Sequence, residues 1–284
     1  MSFISRLGRS LSVALFVWYA MPAAVHAQTA QPPAPLKPPP EKPDLAKLPK
    51  TPIVPTTFEG LFAERDSRAQ DALAYLRCMQ STINALRTGA LGQVPTEWSI
   101  TCIRQGTEWR GVFGALTEKG ISVRLQYALR GTAGTITRDR VDTARVNGTA
   151  RALLRGLSAP LPGGGKYEIV PIPIALDKFI EVWFLPVPTK PTNVVVGGDS
   201  LIQMSSDGVR ELGHIKQATP IRTLQVPLDG ATWTLPSLEE RLPAVSELML
   251  AHMALDVLPE VRVRTNQYDS VIKRGQTTWT HIRR

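Results

Sequence analysis

The stretch TTFEGLFAERDSRAQDALAYLRCMQSTINALR, Thr56 through Arg87, decides how the rest of the chain is read. Thr56-Thr-Phe-Glu59 has the form of a capping box, a hydroxyl followed three residues later by a carboxylate. After it Phe62, Ala69, Leu73, Leu76, Met79, Ile83 and Leu86 recur at helical spacing up to Gly89, so a long amphipathic helix is expected. Cys78 falls on the flank of that apolar stripe. The second cysteine, Cys102, falls in a β-like run over residues 97–105. With an even count in an exported chain, a Cys78–Cys102 disulfide is the expectation, tying the helix to a sheet. The alternative, a reactive thiol, needs a base nearby, and no Cys/His arrangement is visible locally.

Working outward, residues 107–117 and 120–130 are strand-like and separated by Glu118-Lys119-Gly120, which reads as a hairpin. Residues 136–157 carry two signals. Val141, Ala144, Ala152 and Leu153 allow a helix, whereas Asn147-Gly148 is a type I′ turn signal for two short strands; the helix is preferred. Residues 167–175, 179–187, 194–205 and 209–217 read as strands, with Ser206-Asp207-Gly208 as the turn between the last two. Ser237-Leu-Glu-Glu240 is a second capping box, and a helix is expected from Pro243 to about Leu258, where Leu242, Val245, Leu248, Met249, His252 and Leu255 keep helical spacing. Strand-like runs around Lys273-Arg274-Gly275 close the chain. The sum is an α+β domain with a mainly antiparallel sheet and two or three packed helices over residues 56–284, with a subdivision near residue 160 as the alternative.

Two segments precede this domain. Residues 1–27 have the form of a signal peptide: Arg6 and Arg9, an apolar run from Leu11 to Ala20, and Ala24-Val25-His26-Ala27 before a cleavage point at Gln28. That run is shorter than the roughly 20 residues a spanning helix needs. Retention as an uncleaved anchor is the alternative, and would be the only route to a membrane. Residues 28–55 contain ten prolines and four lysines. Proline fixes φ and removes donors, so this stretch is expected to be a disordered, extended spacer with a reach of roughly 85 Å. The chain is therefore expected in the periplasm or secreted.

The formal charge of +9 suggests nucleic acid until its distribution is examined. After the signal and spacer are set aside, residues 56–260 balance at 21 basic and 21 acidic, while residues 261–284 hold six Lys or Arg against Asp269 alone. The excess is local, and nucleic acid is not expected as a partner. Alternation along Val261-Arg-Val-Arg264 puts Arg262 and Arg264 on one strand face, and Trp279, His281 and Arg283 share another by the same parity. Arg262, Arg264, Lys273, Arg274 and Arg283 are the candidate residues for an anionic envelope component or an envelope protein. The competing reading is that these charges protect an edge strand from aggregation.

Catalytic patterns are fragmentary. Gly198-Asp199-Ser200-Leu201 resembles the nucleophile block of the GDSL esterases and lipases, which implies a nucleophilic serine; but no Gly-x-Asn-Asp follows, neither His252 nor His281 has Asp three positions before it, and the competing reading is a glycine-assisted bend entering a strand. Gly163-Gly-Gly-Lys166 lacks the glycine and hydroxyl of a phosphate loop. No histidine has zinc-ligand spacing, Asp139/Asp142 and Glu239/Glu240 read as solvated or capping pairs, and His252 reads as a hydrogen-bonded core histidine. Neither cofactor nor metal is expected. Residues 196–226, with Gly197-Gly198-Asp199, Ser206-Asp207-Gly208 and His214, resemble a stretch of uncharacterised exported bacterial proteins; the resemblance implies an exported bacterial protein with a hairpin here and brings no activity. The expected function is a non-catalytic binding or envelope-accessory module on a tether. The alternatives are a hydrolase assembled from distant residues, Ser200 and His214 first among them, and a subunit of an envelope complex.

Overall fold

The structure is a computed structural model that describes residues 57–89, 98–106, 108–117, 120–130, 133–137, 140–159, 167–174, 178–186, 193–216, 221–225, 232–237 and 241–284. The expectations for the signal segment, the spacer, Gly163 to Lys166 and Glu239/Glu240 lie outside these residues.

Helix α1 (Phe58–Arg87) is capped by Thr57, whose side chain accepts from the Gly60 amide at 3.2 Å. The cap thus falls one residue beyond the one the capping box indicates. Its buried line also differs from the expected stripe. Phe62, Ala69 and Leu73 of that stripe are buried, together with Ala72, Tyr75, Cys78, Thr82 and Ala85, while Leu76, Met79, Ile83 and Leu86 are only half-buried. Small side chains let a 30-residue helix lie close along a sheet, and that closeness overrides the preference for burying the largest residues.

Below α1 lie two four-stranded antiparallel sheets. The first is the meander β1 (Trp98–Gln105), β2 (Glu108–Thr117), β3 (Gly120–Arg130) and β4 (Ala133–Thr137). The expected hairpin is there, with Thr117 paired to Gly120. The second has the order β5-β6-β8-β9, built from β5 (Tyr167–Ile174), β6 (Phe179–Pro186), β8 (Ser200–Ser205) and β9 (Glu211–Lys216). Strand alternation gives this sheet two apolar faces. Val170, Ile172, Trp183, Leu185 and Leu201 join the core of α1, whereas Tyr167, Ile169, Val182, Phe184, Ile202 and Met204 cluster with Ala152 of helix α2 (Thr143–Ser158). Val146 and Ala150 of α2 also cover Ile103, Val112 and Ile121 of the first sheet. Each helix therefore spans both sheets, one on either side. The disulfide Cys78–Cys102, with Cα atoms 6.3 Å apart, fastens α1 to β1, and Arg68 of α1 donates to Glu181 of β6 at 3.0 Å.

Residues 143–158 are helical despite Asn147-Gly148, and the packing says why. Asn147 Oδ1 accepts from the Ile121 amide of β3 at 3.1 Å. Gly148 sits against the Ser206-Asp207-Gly208 turn so tightly that a Cβ there would overlap the Ser206 carbonyl oxygen. The glycine serves close approach to the turn.

The expected strand over residues 194–205 is broken into β7 (Asn193–Val196) and β8. Gly197 and Gly198 have φ of +77° and +69°, a conformation that turns the chain out of the sheet. β7 then pairs with β10 (Arg222–Gln225) as a separate ribbon. The bend delivers Asp199, fully buried, to the start of helix α3 (Val245–Ala254), where its Oδ2 accepts from the Ser246 amide at 2.8 Å and Gly197 N–H donates to Ser246 Oγ at 3.1 Å. A carboxylate at a helix N-terminus meets both unpaired amides and the positive dipole end. α3 is shorter than expected: its first turn is closed by Glu247, which accepts from the Ala244 amide and the Ser237 hydroxyl, so Pro243 lies outside the helix.

The C-terminal sheet has the order β11-β12-β13-β14: β11 (Thr232–Pro236), β12 (Glu260–Arg264), β13 (Tyr268–Lys273) and β14 (Thr280–Arg283). β11 runs parallel to β12 with α3 as the crossover, and the remaining pairs are antiparallel. Trp233, Leu235, Val261, Val263 and Ile272 face inward into the main core with α3. Three described helices and mainly antiparallel sheets make the α+β fold that the sequence indicates. No described helix is long and apolar enough to cross a membrane.

Candidate functional site

The cation-bearing residues singled out in the sequence converge on this last sheet. Its outward positions form three cross-strand rows: Thr232, Glu260 and Lys273; Thr234, Arg262, Val271 and Thr280; Pro236, Arg264, Asp269 and Ile282. Thr232, Thr234, Lys273, Thr280 and Ile282 are exposed. Three cations here share two carboxylates. Arg264 grips Asp269 with Nε–Oδ1 at 2.8 Å and a second nitrogen on Oδ2 at 3.1 Å, a fork-to-carboxylate pairing that holds the Asp269 carboxyl below its usual range. Arg262 lies 3.6 Å from Asp269 and 3.8 Å from Glu260, and Lys273 lies 3.7 Å from Glu260.

The other two residues are placed differently. Arg274 donates through Nε to the carbonyls of Leu255 and Leu258, at 2.9 and 3.2 Å, and so closes the C-terminal end of α3. Arg283 pairs opposite Tyr268 and so belongs to the face opposite Arg262 and Arg264, as its parity indicated.

The inner face of β13 and β14 meets the start of α1 in an aromatic seam. Phe58 stacks on Tyr268 at 3.8 Å between centroids, and Phe62 contacts His281 and Trp279 at 4.5 and 5.2 Å. His252 of α3 bonds Asp66 at 2.7 Å, which makes it the hydrogen-bonded core histidine expected. Asp66 also accepts from Gln70 at 2.7 Å. Ser270 Oγ and His281 Nδ1 are 2.9 Å apart, a serine–imidazole pair. Ser270 is fully buried and is the direct cross-strand partner of His281. A nucleophile must reach a substrate, so this pair serves to pin β14 to β13. Burial holds the His281 imidazole below its usual range, against the opposing pull of Glu59 and Asp66.

The β8–β9 register puts Ser200 and His214 on one face, two residues out of step, and no hydrogen bond joins them. Ser200 is buried on β8 opposite Lys216, and its Oγ has no hydrogen-bond partner among the described residues. His214 is exposed and lies opposite Ile202. The Gly198-Asp199-Ser200-Leu201 block is instead the bend and helix cap described above. Among the described residues no cluster of His, Cys, Asp and Glu could hold a metal ion.

Sequence reasoning missed Glu260 and Asp269 as partners of the basic residues, and missed the pairs Asp66–His252 and Ser270–His281. Asp269 was visible as the single acid of the last 24 residues. What made it invisible as a partner is register: only the pairing of β12 with β13 puts it opposite Arg264.

One buried carboxyl stands apart from these pairs. Burial alone pushes Glu168 of β5 up to about 7, from an ordinary 4.5, and burial raises the neighbouring Tyr75 hydroxyl to about 12. The folded state therefore keeps a proton on Glu168 that the unfolded chain gives up. Stability from this group is full below about pH 4.5 and falls as pH rises to about 7. Glu168→Gln is expected to raise unfolding stability by about 3 kcal/mol at pH 8 and to leave it unchanged at pH 4. Denaturant unfolding at the two pH values checks this, and an equal effect at both would show that Glu168 is not charged at a cost in the fold.

Compared with known proteins, the chain matches no family model, no curated protein and no solved structure, so the reading of the site rests on its own geometry.

Proposed function

We propose that this protein is an exported, non-catalytic binding module of the cell envelope, carried on its proline-rich tether in the periplasm, and that its partner is an anionic envelope component docking on the outward face of β11–β14. The observation that carries this reading is the arrangement on that face: Arg262, Arg264 and Lys273 project from adjacent strands over two carboxylates, with exposed threonines and Ile282 around them. Holding cations on a sheet reduces the freedom they lose on binding, relative to the same charges on a flexible tail. Edge protection alone does not explain Arg262 and Arg264, because β12 is an interior strand with neighbours on both sides. Export is supported by the leader pattern before Gln28 and by the disulfide between Cys78 and Cys102.

The test uses protein recovered from the periplasmic fraction, whose mass should correspond to a chain beginning at Gln28. Arg262→Ser with Arg264→Ser is expected to lower retention on anionic lipid, cell-wall polymer and heparin supports, with retention of the parent protein falling steeply as salt rises, since exposed charges are screened over about 8 Å at physiological ionic strength. Unchanged retention would mean that the face does not dock an anionic partner.

A further inference from the structure

Arg262 occupies the middle of the outward face, on an interior strand and in the middle of its three rows. Of the two arginines of β12 it is also the one that gives no hydrogen bond to either carboxylate. Arg264 gives two hydrogen bonds to Asp269, whereas Arg262 approaches Asp269 and Glu260 only at 3.6 and 3.8 Å, and its buried Nε has no acceptor among the described residues. Two carboxylates on either side thus hold the guanidinium without occupying its donors. A guanidinium presents pairs of N–H groups in a fixed fork that matches the two oxygens of a carboxylate or phosphate ester. Its side chain is 32% exposed, so hydration is incomplete and the donors gain from an incoming acceptor. In the same row stand the exposed Thr234 and Thr280, whose hydroxyls both donate and accept.

Resting on the proposed docking face, we infer that Arg262 is the anchor for a single oxyanion group, a carboxylate or phosphate ester, carried on a linear anionic polysaccharide whose hydroxyls are met by Thr234 and Thr280. Arg262, Arg264 and Lys273, with Arg284 also acting on Asp269, stand over two carboxylates and give this face only a small positive excess. Adhesion to an anionic bilayer draws on clusters of about 4–8 Lys or Arg, so a polymer read one charge at a time fits the face better than a membrane does. Asp269 acts here as a positioning residue, holding Arg264 clear of the ligand's place and setting one side of Arg262.

The experiment titrates the full exported chain with polygalacturonate, with neutral dextran, polyglutamate and phosphatidylglycerol vesicles in parallel. Arg262→Gln is expected to weaken polygalacturonate binding about 10-fold, and Arg262→Lys about 5-fold because a point charge cannot supply the fork. Lys273→Gln is expected to change binding less than about 2-fold, as a screened surface charge. Circular dichroism confirms that each variant is folded. If Arg262→Gln and Arg262→Lys bind like the parent while the double Arg262/Arg264 variant fails, the anchor assignment is wrong and the docking face stands. Preference for vesicles or polyglutamate over polygalacturonate overturns the polysaccharide. Absence of binding to every anionic probe removes the docking face together with the inference.

Discussion

Replacing Cys78 and Cys102 together by alanine lowers the unfolding free energy by about 3 kcal/mol, the loop-closure entropy of roughly 25 residues on the chain-entropy account. For a domain of this size that is a fall in the thermal midpoint of roughly 6–12 °C. The two residues are 24 apart in sequence with Cα atoms 6.3 Å apart, within the span a disulfide bridges. Both side chains are buried, so the alanine pair also leaves a small cavity between α1 and β1. Chemical denaturation of the oxidised parent, the reduced parent and the variant checks the effect. The reduced parent should fall close to the variant. If reduction leaves stability unaltered, the bridge does not constrain the unfolded chain, and the tie between α1 and the first sheet is packing alone. Binding to an anionic support should survive in the variant, because the bridge lies in the first sheet and the docking face in the last.

The second large effect is expected at Gly148. An alanine in place of a glycine inside a helix ordinarily stabilises by about 0.5–1 kcal/mol. Here the sign reverses. The added Cβ would overlap the Ser206 carbonyl oxygen, which is main chain and cannot rotate away, and the approach is equally close from the other side, where a Cβ on Gly208 would overlap the Gly148 carbonyl oxygen. Either α2 lifts from the sheet or the turn shifts, disturbing the cluster of Ala152 with Met204 and Ile202. Gly148→Ala is expected to destabilise by about 3 kcal/mol, the upper end of overpacking effects. Urea unfolding of this variant settles the matter, and a neutral or stabilising result would mean that α2 does not seat on the β8–β9 turn.

These two positions also illustrate what could be read in advance. The disulfide and the β2–β3 hairpin were legible because both depend on local signals: two cysteines on an identified helix and strand, and a Glu-Lys-Gly connection between alternating runs. Asn147-Gly148 was legible only as an ambiguity. The residues that favour a two-residue turn are the same ones that let a helix hydrogen-bond sideways to Ile121 and approach a turn closely, and only the tertiary neighbour distinguishes the two uses. The break at Gly197-Gly198 was legible as a glycine-assisted bend entering a strand, but not as the boundary between two sheets. Residues 194–205 hold two apolar runs that read as one strand, but the paired positive φ angles between them divide the segment between a ribbon and a sheet. Similarly, the Thr56 to Glu59 capping pattern gave the start of α1 to within one residue and said nothing of which face would be buried, because burial was set by the close seat of Ala69, Ala72 and Cys78.

The candidate site divides in the same way. Parity along β12 placed Arg262 and Arg264 on one face, and composition located the positive excess in the last 24 residues. Which cation is engaged and which is available could not be read, because that depends on the register that sets Asp269 opposite Arg264 and Glu260 opposite Lys273. Nor could the role of Asp199 and Ser200 be read from their four-residue block, since the helix that Asp199 caps begins more than 40 residues later.

The central claim is that an anionic partner docks on the outward face of the C-terminal sheet. Mapping backbone amide shifts by NMR while polygalacturonate is titrated into the exported chain tests it most directly. The account predicts perturbations concentrated in Thr232–Pro236, Glu260–Arg264, Tyr268–Lys273 and Thr280–Arg283, fading as salt is raised. Perturbations gathered on the β8–β9 hairpin or along α2, with the C-terminal sheet unmoved, would contradict it.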